Sequence, residues 1–295
     1  MIAFGLDLGG TKIEAAALSS GGAFLARVRV PTPGAYEAGL EAAAEVLAEA
    51  ERQAGAKAAR VGVGGPGSVN PHTGRMRNAN STWLNGRPFP EDLARRLARP
   101  VRYANDADCL ALSEARDGAA EGRNPVFAVI LGTGCGGGLS VGGRLVTGAN
   151  GIAGEWGHSP LPSPTPEETP GPACWCGRRG CLETWLSGPG LARDDGRGLS
   201  AEALAGLAAQ GEARALASLE RHAGRLARGL AAVVNLLDPA VLVLGGGVGQ
   251  IPGLAEGLAE RIRPYVFSGD WRCEVVRPRF GDSSGVRGAA WLWDR

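Results

Sequence analysis

Three cysteines, Cys174, Cys176 and Cys181, stand within the eight residues CWCGRRGC, half of the six in the chain. Thiols at this density are metal ligands, redox groups or disulfide partners. One residue separates Cys174 from Cys176, which is not the two-residue spacing of a thioredoxin-type dithiol. Tetrahedral zinc takes four ligands, and the chain offers three histidines, His72, His158 and His222. His158 closes the segment GEWGH, just before the Pro-rich stretch leading to the cysteines, and is the natural fourth ligand. Free cysteines in a turn are the bland alternative. A disulfide is disfavoured if the compartment is reducing.

A second set of residues could hold phosphate. Three apolar, strand-like runs end in glycine clusters: GLDLGGTK (Asp7, Gly9, Gly10, Thr11, Lys12), VILGTGCGGG (Gly132, Thr133, Gly134) and LVLGGGVG (Gly245, Gly246, Gly247). Backbone N–H groups at strand-end glycine loops can cradle phosphates. Any one cluster could be only a tight turn. GLDLGGTK lacks the Gly-Lys-Ser/Thr order of a Walker A loop. Gly132–Gly137 fits G-x-G-x-x-G, but a hairpin-like LSVGGRLV follows where a Rossmann loop must open a helix. Of 31 basic residues only Lys12 and Lys57 are lysines, which draws attention to a lysine inside a glycine loop. A third set, Asn105-Asp106 in YANDADCLALSEA, sits where a helix should start. Asp106 is either a helix cap or a proton acceptor. Asp108 and Glu114 read as ordinary helix carboxylates, and Cys109, Cys135 and Cys273 as packing residues.

The elements that must position these residues alternate between strand and helix, an α/β pattern. Residues 2–7, 11–18 and 23–30 read as a three-strand meander, 36–53 as a helix and 59–63 as a strand. Residues 88–97 and 107–120 read as helices and 126–131 as a buried strand. Residues 159–173 read as a long loop. Helices are expected over 201–208, 212–237, 252–263 and 285–293, with strands at 241–244 and 273–277. At 295 residues the chain is long enough for two domains. It is 44% hydrophobic, 21% charged, 5% aromatic and carries a formal charge of +1. That balance argues against nucleic acid or an anionic membrane as partner. MIAFGLDLGG reads as a strand, not a secretory signal. The most apolar run, LAAVVNLLDPAVLVLGGGV, is interrupted by Asn235, Asp238 and Pro239, so no membrane-spanning helix is expected. A cytoplasmic protein is the resulting expectation.

With those residues in view, the chain resembles a known group. The three glycine clusters look like the two phosphate loops and the adenosine motif of the actin-like (ribonuclease H-like) sugar-kinase ATPase fold. GEWGH followed by CxCGxxGCxE resembles the ROK family of repressors, uncharacterised reading frames and sugar kinases. The resemblance implies two α/β domains with ATP in the cleft between them: a small one over 1–116 plus 284–295, and a large one over 117–283 with the zinc loop. It implies structural Zn²⁺ on His158, Cys174, Cys176 and Cys181. It implies Asp106 as general base, with Asn105, Glu155, His158 and Glu183 on sugar hydroxyls and Mg²⁺ accompanying ATP. Read without the family, Glu155 is a surface carboxylate and Glu183 a helix N-terminal charge. NANSTWLNG, with GGPGS before it, is similar to the bacterial fructokinase (manno-fructokinase) branch, which adds Gly65 and Asn80 as sugar contacts. The expected activity is transfer of phosphate to the 6-hydroxyl of a free hexose, fructose favoured. Glucokinase, mannokinase and N-acetylglucosamine kinase are the alternatives, and a sugar-sensing ROK regulator is the rival of another class. The family also makes a homodimer the expected assembly.

Overall fold

The computed structural model describes residues 2–293 and divides into two compact units. The first comprises the chain to Glu121, Gly138–Ala153 and the residues from Arg279 on; the second comprises Gly122–Gly137 and Gly154–Pro278. The segment 138–153 thus belongs with the first unit, where the sequence division had put it in the second.

In the first unit a five-stranded sheet runs in the order Phe24–Pro31, Lys12–Leu18, Ala3–Leu8, Val61–Gly65, Val101–Asn105. The first three strands form the antiparallel meander, with Asp7 opposite Glu14. The last two run parallel to Ala3–Leu8. One face is covered by the helix Tyr36–Ala54, whose Leu40, Ala43, Val46, Leu47 and Ala50 recur at helical spacing and are buried. That helix stops at Gly55 in the left-handed conformation (φ 63°). The other face takes the helix Ser284–Trp291, which returns here as the family resemblance implied. It seats closely because the contact points are glycines. A Cβ on Gly62 would stand 1.7 Å from the Ala289 carbonyl oxygen, and one on Gly288 1.8 Å from that of Cys109.

The second sheet has the order Arg144–Leu145, Cys135–Val141, Val126–Leu131, Val241–Gly245, Glu274–Val276. Val126–Leu131 and Val241–Gly245 are parallel, with Val241 opposite Val126. They are almost wholly buried, as their unbroken apolar runs require. The hairpin after the second glycine cluster forms as expected, since Cys135–Val141 pairs with Arg144–Leu145. The 25-residue helix Ala213–Leu237 is amphipathic, with Leu226, Leu230, Val233 and Val234 among its buried residues.

Two expectations fail. The helix expected over 252–263 forms only at Leu258–Ile262. Gly253 and Gly257 adopt φ of 82° and 75°, a conformation that breaks helical continuity. Glu114 is not an ordinary exposed helix carboxylate. It is fully buried on the helix Asp106–Asp117. Its oxygens accept the N–H groups of Ala119 (2.8 Å) and Arg279 (2.9 Å) and the hydroxyl of Ser284 (2.8 Å). It therefore anchors the start of the returning helix. Asp108, read the same way, is also buried.

Candidate functional site

The metal centre lies in the second unit. Ser159 and Leu161 pair with the chain around Cys181: the Leu182 N–H reaches the Ser159 carbonyl at 2.8 Å, and the Leu161 N–H that of Gly180 at 3.0 Å. This short ladder carries His158 to Cys181. Cys174 and Cys176 sit on a tight turn in which the Cys174 N–H bonds Arg178 (2.8 Å) and the Gly177 N–H bonds Cys174 (3.0 Å). One ligand atom each from His158, Cys174, Cys176 and Cys181 then lies within 4.8 Å of the others. Cys174 Sγ is 3.6 Å from His158 Nδ1, and Cys176 Sγ is 3.6 Å from Cys181 Sγ. A tetrahedral ion with sulfur bonds of about 2.3 Å spaces its sulfurs about 3.8 Å apart, so the donor set and its spacing fit zinc. The thiols differ: burial opposes ionisation of Cys176, but the Arg178 N–H and guanidinium and the neighbouring thiols bring it down to about 6. Burial and the Cys176 and Cys174 thiols push Cys181 up to about 12.

The knot adjoins the second glycine loop. Trp156, in GEWGH, donates its indole N–H to the Gly136 carbonyl at 3.0 Å. A Cβ on Gly157 would stand 2.0 Å from the Cys135 carbonyl oxygen. His158 packs edge-on against Trp175, ring centres 4.8 Å apart. Glu155 is exposed and opens this short 3-10 turn. Glu183, on the short helix Leu182–Leu186, has both oxygens engaged: Oε1 accepts the Trp175 indole N–H (2.6 Å) and Oε2 the Cys135 backbone N–H (3.1 Å).

Beside that loop a cavity of about 790 Å³ is lined by Gly132 and Thr133, by Gly247 and Gln250, and by apolar residues including Leu199 and Ile251. The second and third glycine clusters thus face one cavity in this unit. Its size and mostly apolar lining suit a planar heterocycle. Gly246 (φ 80°) lets the third cluster pass close to Leu131, whose carbonyl oxygen would be 2.3 Å from a Cβ there. Gly134, Gly245 and Gly246 do not line the cavity.

The first glycine loop, between Leu8 and Lys12, belongs to the first unit. Gly9 bonds its N–H to the Lys12 carbonyl (2.9 Å), and Thr32 Oγ1 donates to the Gly9 carbonyl (2.7 Å). The Thr32 N–H reaches the Thr11 carbonyl at 3.0 Å, while Gly10 and Thr11 are exposed. Lys12 Nζ pairs with Asp282 at 3.2 Å and lies 3.8 Å from Glu14. Glu14 is itself fully buried between Arg27 and Arg29, the latter at 2.6 Å. This charged cluster went unread in the sequence, because Glu14 looks like any outward residue of an edge meander. Asp7 is pushed up to about 7 by burial and by the nearby Asp106 and Glu14 carboxylates.

Asp106 sits at the first turn of Asp106–Asp117, exposed, but it is not the cap. Asn105 caps the helix, its side chain accepting the Ala107 N–H at 2.9 Å and donating to the Gly67 carbonyl at 3.1 Å. Asp106 Oδ1 also accepts the Ala107 N–H, at 2.8 Å. Gly65 is buried at the end of its strand, where a Cβ would meet the Tyr103 hydroxyl at 2.8 Å. Asn80 is exposed on a loop closed by Asn85, whose side chain bonds both the N–H and the carbonyl of Ala79 at 2.9 Å. Cys109 and Cys135 are buried and Cys273 is partly so. The Pro-rich loop holds another missed group, Glu168. It is buried against Arg225 and Arg228, each at 2.8 Å, and drawn down to about 2; burial opposes this, and the hydrogen bonds from those arginines and Thr165 outweigh it. Among the described residues no helix is long and apolar enough to cross a membrane.

Known proteins resemble this chain along its length. The ROK family model matches residues 3–295. An N-acetyl-D-glucosamine kinase of Escherichia coli O6:H1 is 40% identical over 298 residues, 98% of each chain. The ROK hexokinase from Thermus thermophilus superposes with a TM-score of 0.87 at 38% identity, covering 99% of this chain and 97% of its own. A ROK glucokinase from Streptomyces griseus, solved with glucose and AMPPNP, gives 0.80 at 30% identity, with 99% of each chain covered. The two mixed five-stranded sheets are those of the actin-like ATPase fold in its ROK form.

Proposed function

The chain belongs to the ROK family, and we propose that it is an ATP- and Mg²⁺-dependent kinase acting on the 6-hydroxyl of N-acetyl-D-glucosamine. The kinase reading rests above all on the cavity of about 790 Å³ onto which two glycine clusters open. The choice of sugar rests on the 40% identity, over 98% of both chains, to an N-acetyl-D-glucosamine kinase. It replaces the fructose expected from NANSTWLNG. Nothing in the placement of that loop favours fructose, since its best-anchored residue, Asn85, is spent on Ala79. Glucose is the second reading, supported by the hexokinase and the glucokinase matches.

Phosphoryl transfer depends on positioning and charge neutralisation more than on covalent chemistry by the protein. The cavity beside Gly132, Thr133 and Gly247 takes the base; in the first unit, the exposed Gly10 and Thr11 are the part of the Gly9–Lys12 loop that suits phosphate. Asp106 accepts the proton of the attacking hydroxyl. Asn105, spent on capping and on Gly67, keeps that helix start rigid. Mg²⁺ would supply positive charge to the phosphates, and Asp7, raised first by burial and then by the Asp106 and Glu14 carboxylates, is the side chain a cation would return to its ionised form. Zinc would be held by His158, Cys174, Cys176 and Cys181 and would fix the 3-10 turn that Glu155 opens and the start of the helix carrying Glu183. A carboxylate has about four acceptor positions, so Glu183 retains capacity for a sugar hydroxyl.

A coupled ADP-release assay with ATP and Mg²⁺ against N-acetylglucosamine, glucose, fructose, mannose and N-acetylmannosamine tests the reading. The highest kcat/KM is expected on N-acetylglucosamine. A preference for glucose moves the assignment to the second reading, and absence of turnover on every sugar refutes the kinase.

A further inference from the structure

Glu183 stands between the metal knot and the second glycine loop, and its two oxygens are divided between them. Trp175 lies between two of the metal-ligating cysteines and is 64% exposed. So open a ring has little packing to hold it beyond the His158 edge contact. Its indole N–H nevertheless makes a 2.6 Å bond to Glu183 Oε1. Oε2 takes the N–H of Cys135, the residue directly after Gly132–Gly134. A Cβ on Gly134 would come 2.8 Å from that same oxygen, so the loop's glycine leaves room for the carboxylate. The other end of the loop is gripped by the same segment, since the Gly188 N–H bonds the Gly132 carbonyl at 2.7 Å. The chain from Cys181 to Gly188 therefore holds both ends of the loop, and Cys181 fixes that chain to the knot.

We infer that Trp175 and Glu183 are positioning residues through which the metal knot sets the shape of the nucleotide-facing loop Gly132–Gly134. The inference rests on the reading of that loop as a phosphate loop. Its consequence is that metal and Trp175 govern nucleotide affinity in the absence of any sugar. If Glu183 served only as a sugar ligand, nucleotide affinity would be indifferent to both.

The test uses Trp175→Phe, which keeps a ring against His158 and removes the indole N–H. Metal content is measured, MgATP affinity is titrated calorimetrically without sugar, and amide exchange is followed over 132–137. With metal retained, ATP binding should weaken about fivefold, the size expected for one lost hydrogen bond, and exchange at Cys135 should quicken. Unchanged affinity and unchanged exchange overturn the inference. Should the variant fail to fold or to keep metal, chelation of the wild-type protein takes its place: exchange over 132–137 must rise, and constant exchange refutes the coupling. If the wild-type protein binds no ATP, the kinase reading falls, while the exchange result still decides whether knot and loop are coupled.

Discussion

The two phosphate-loop candidates occupy comparable places, each at the end of a strand in a five-stranded mixed sheet, yet they are held in different ways. The backbone of the loop at Gly9–Lys12 is held from nearby, by its own Gly9–Lys12 bond and by Thr32 at the end of the same meander, and only the Lys12 side chain reaches a distant partner, Asp282. It is surrounded by charge: Asp7, Glu14, Arg29 and Asp282. The loop at Gly132–Gly134 has an internal bond too, from the Gly132 N–H to the Gly134 carbonyl (3.0 Å), but it has apolar strand behind it and its further bonds come from Glu183 and Gly188, about fifty residues on, within a segment fastened by the candidate metal ligands. A loop held by its own strands forms with its sheet. A loop held from a distance forms only when the distant segment has found its own anchor, and it inherits that anchor's sensitivities.

The comparison can be broken most forcefully at the chemistry. Asp106→Ala should lower kcat by about 10²–10⁴-fold with fold and metal content retained, as read by steady-state turnover and circular dichroism; near-normal turnover would remove Asp106 as base. Next in size is the first unit's own long-range anchor. Glu114→Ala strands three donors, and at about 1 kcal/mol or more each should cost roughly 3 kcal/mol in urea unfolding, with the metal site untouched.

A third contrast is in pH. Asp7 is held near 7 in the folded chain, above its ordinary value of 3.8, so its contribution is present below about pH 4 and lost as pH rises towards 7. Glu168 is held near 2, below its ordinary 4.5, so its contribution is present above 4.5 and lost as pH falls towards 2. Tm measured against pH should therefore fall less between pH 4 and 7 in Asp7→Asn, and less below pH 4.5 in Glu168→Gln. Profiles identical to wild type would refute both. Smallest is Thr32→Val, which removes the hydroxyl bond to Gly9. A loss of about 1 kcal/mol should raise the KM for ATP a fewfold, equally with and without metal. Dependence of that effect on metal would show that the first loop is not locally held.

What could be read in the sequence was what composition and spacing encode by themselves. The cysteine knot, the glycine clusters after buried strands, the meander and the closing helix all rest on local residue type, whereas the return of that helix to the first unit came from the family resemblance. The helix broken at Gly253 and Gly257 had its signal too, two glycines within five residues, outweighed by the Leu/Ala/Glu content around them. The groups that were missed or misread are carboxylates whose character is set from afar: Glu114 by Arg279 and Ser284, Glu168 by Arg225 and Arg228. A one-dimensional pattern carries no trace of such partners. The sugar was least legible, because Asn80 is an exposed loop residue of a type shared by ordinary turns.

The returning helix Ser284–Trp291 has a consequence for the chain as it is made. It packs on the central strands of a sheet built from the first 105 residues, through close backbone contacts at Gly5 and Gly62, and meets the helix Asp106–Asp117 through Gly288. A chain emerging from the ribosome in N-to-C order would carry that sheet half-clothed through the synthesis of everything between. Arrival of the segment 284–291, not completion of the first unit's strands, would then be the event that closes that part of its core.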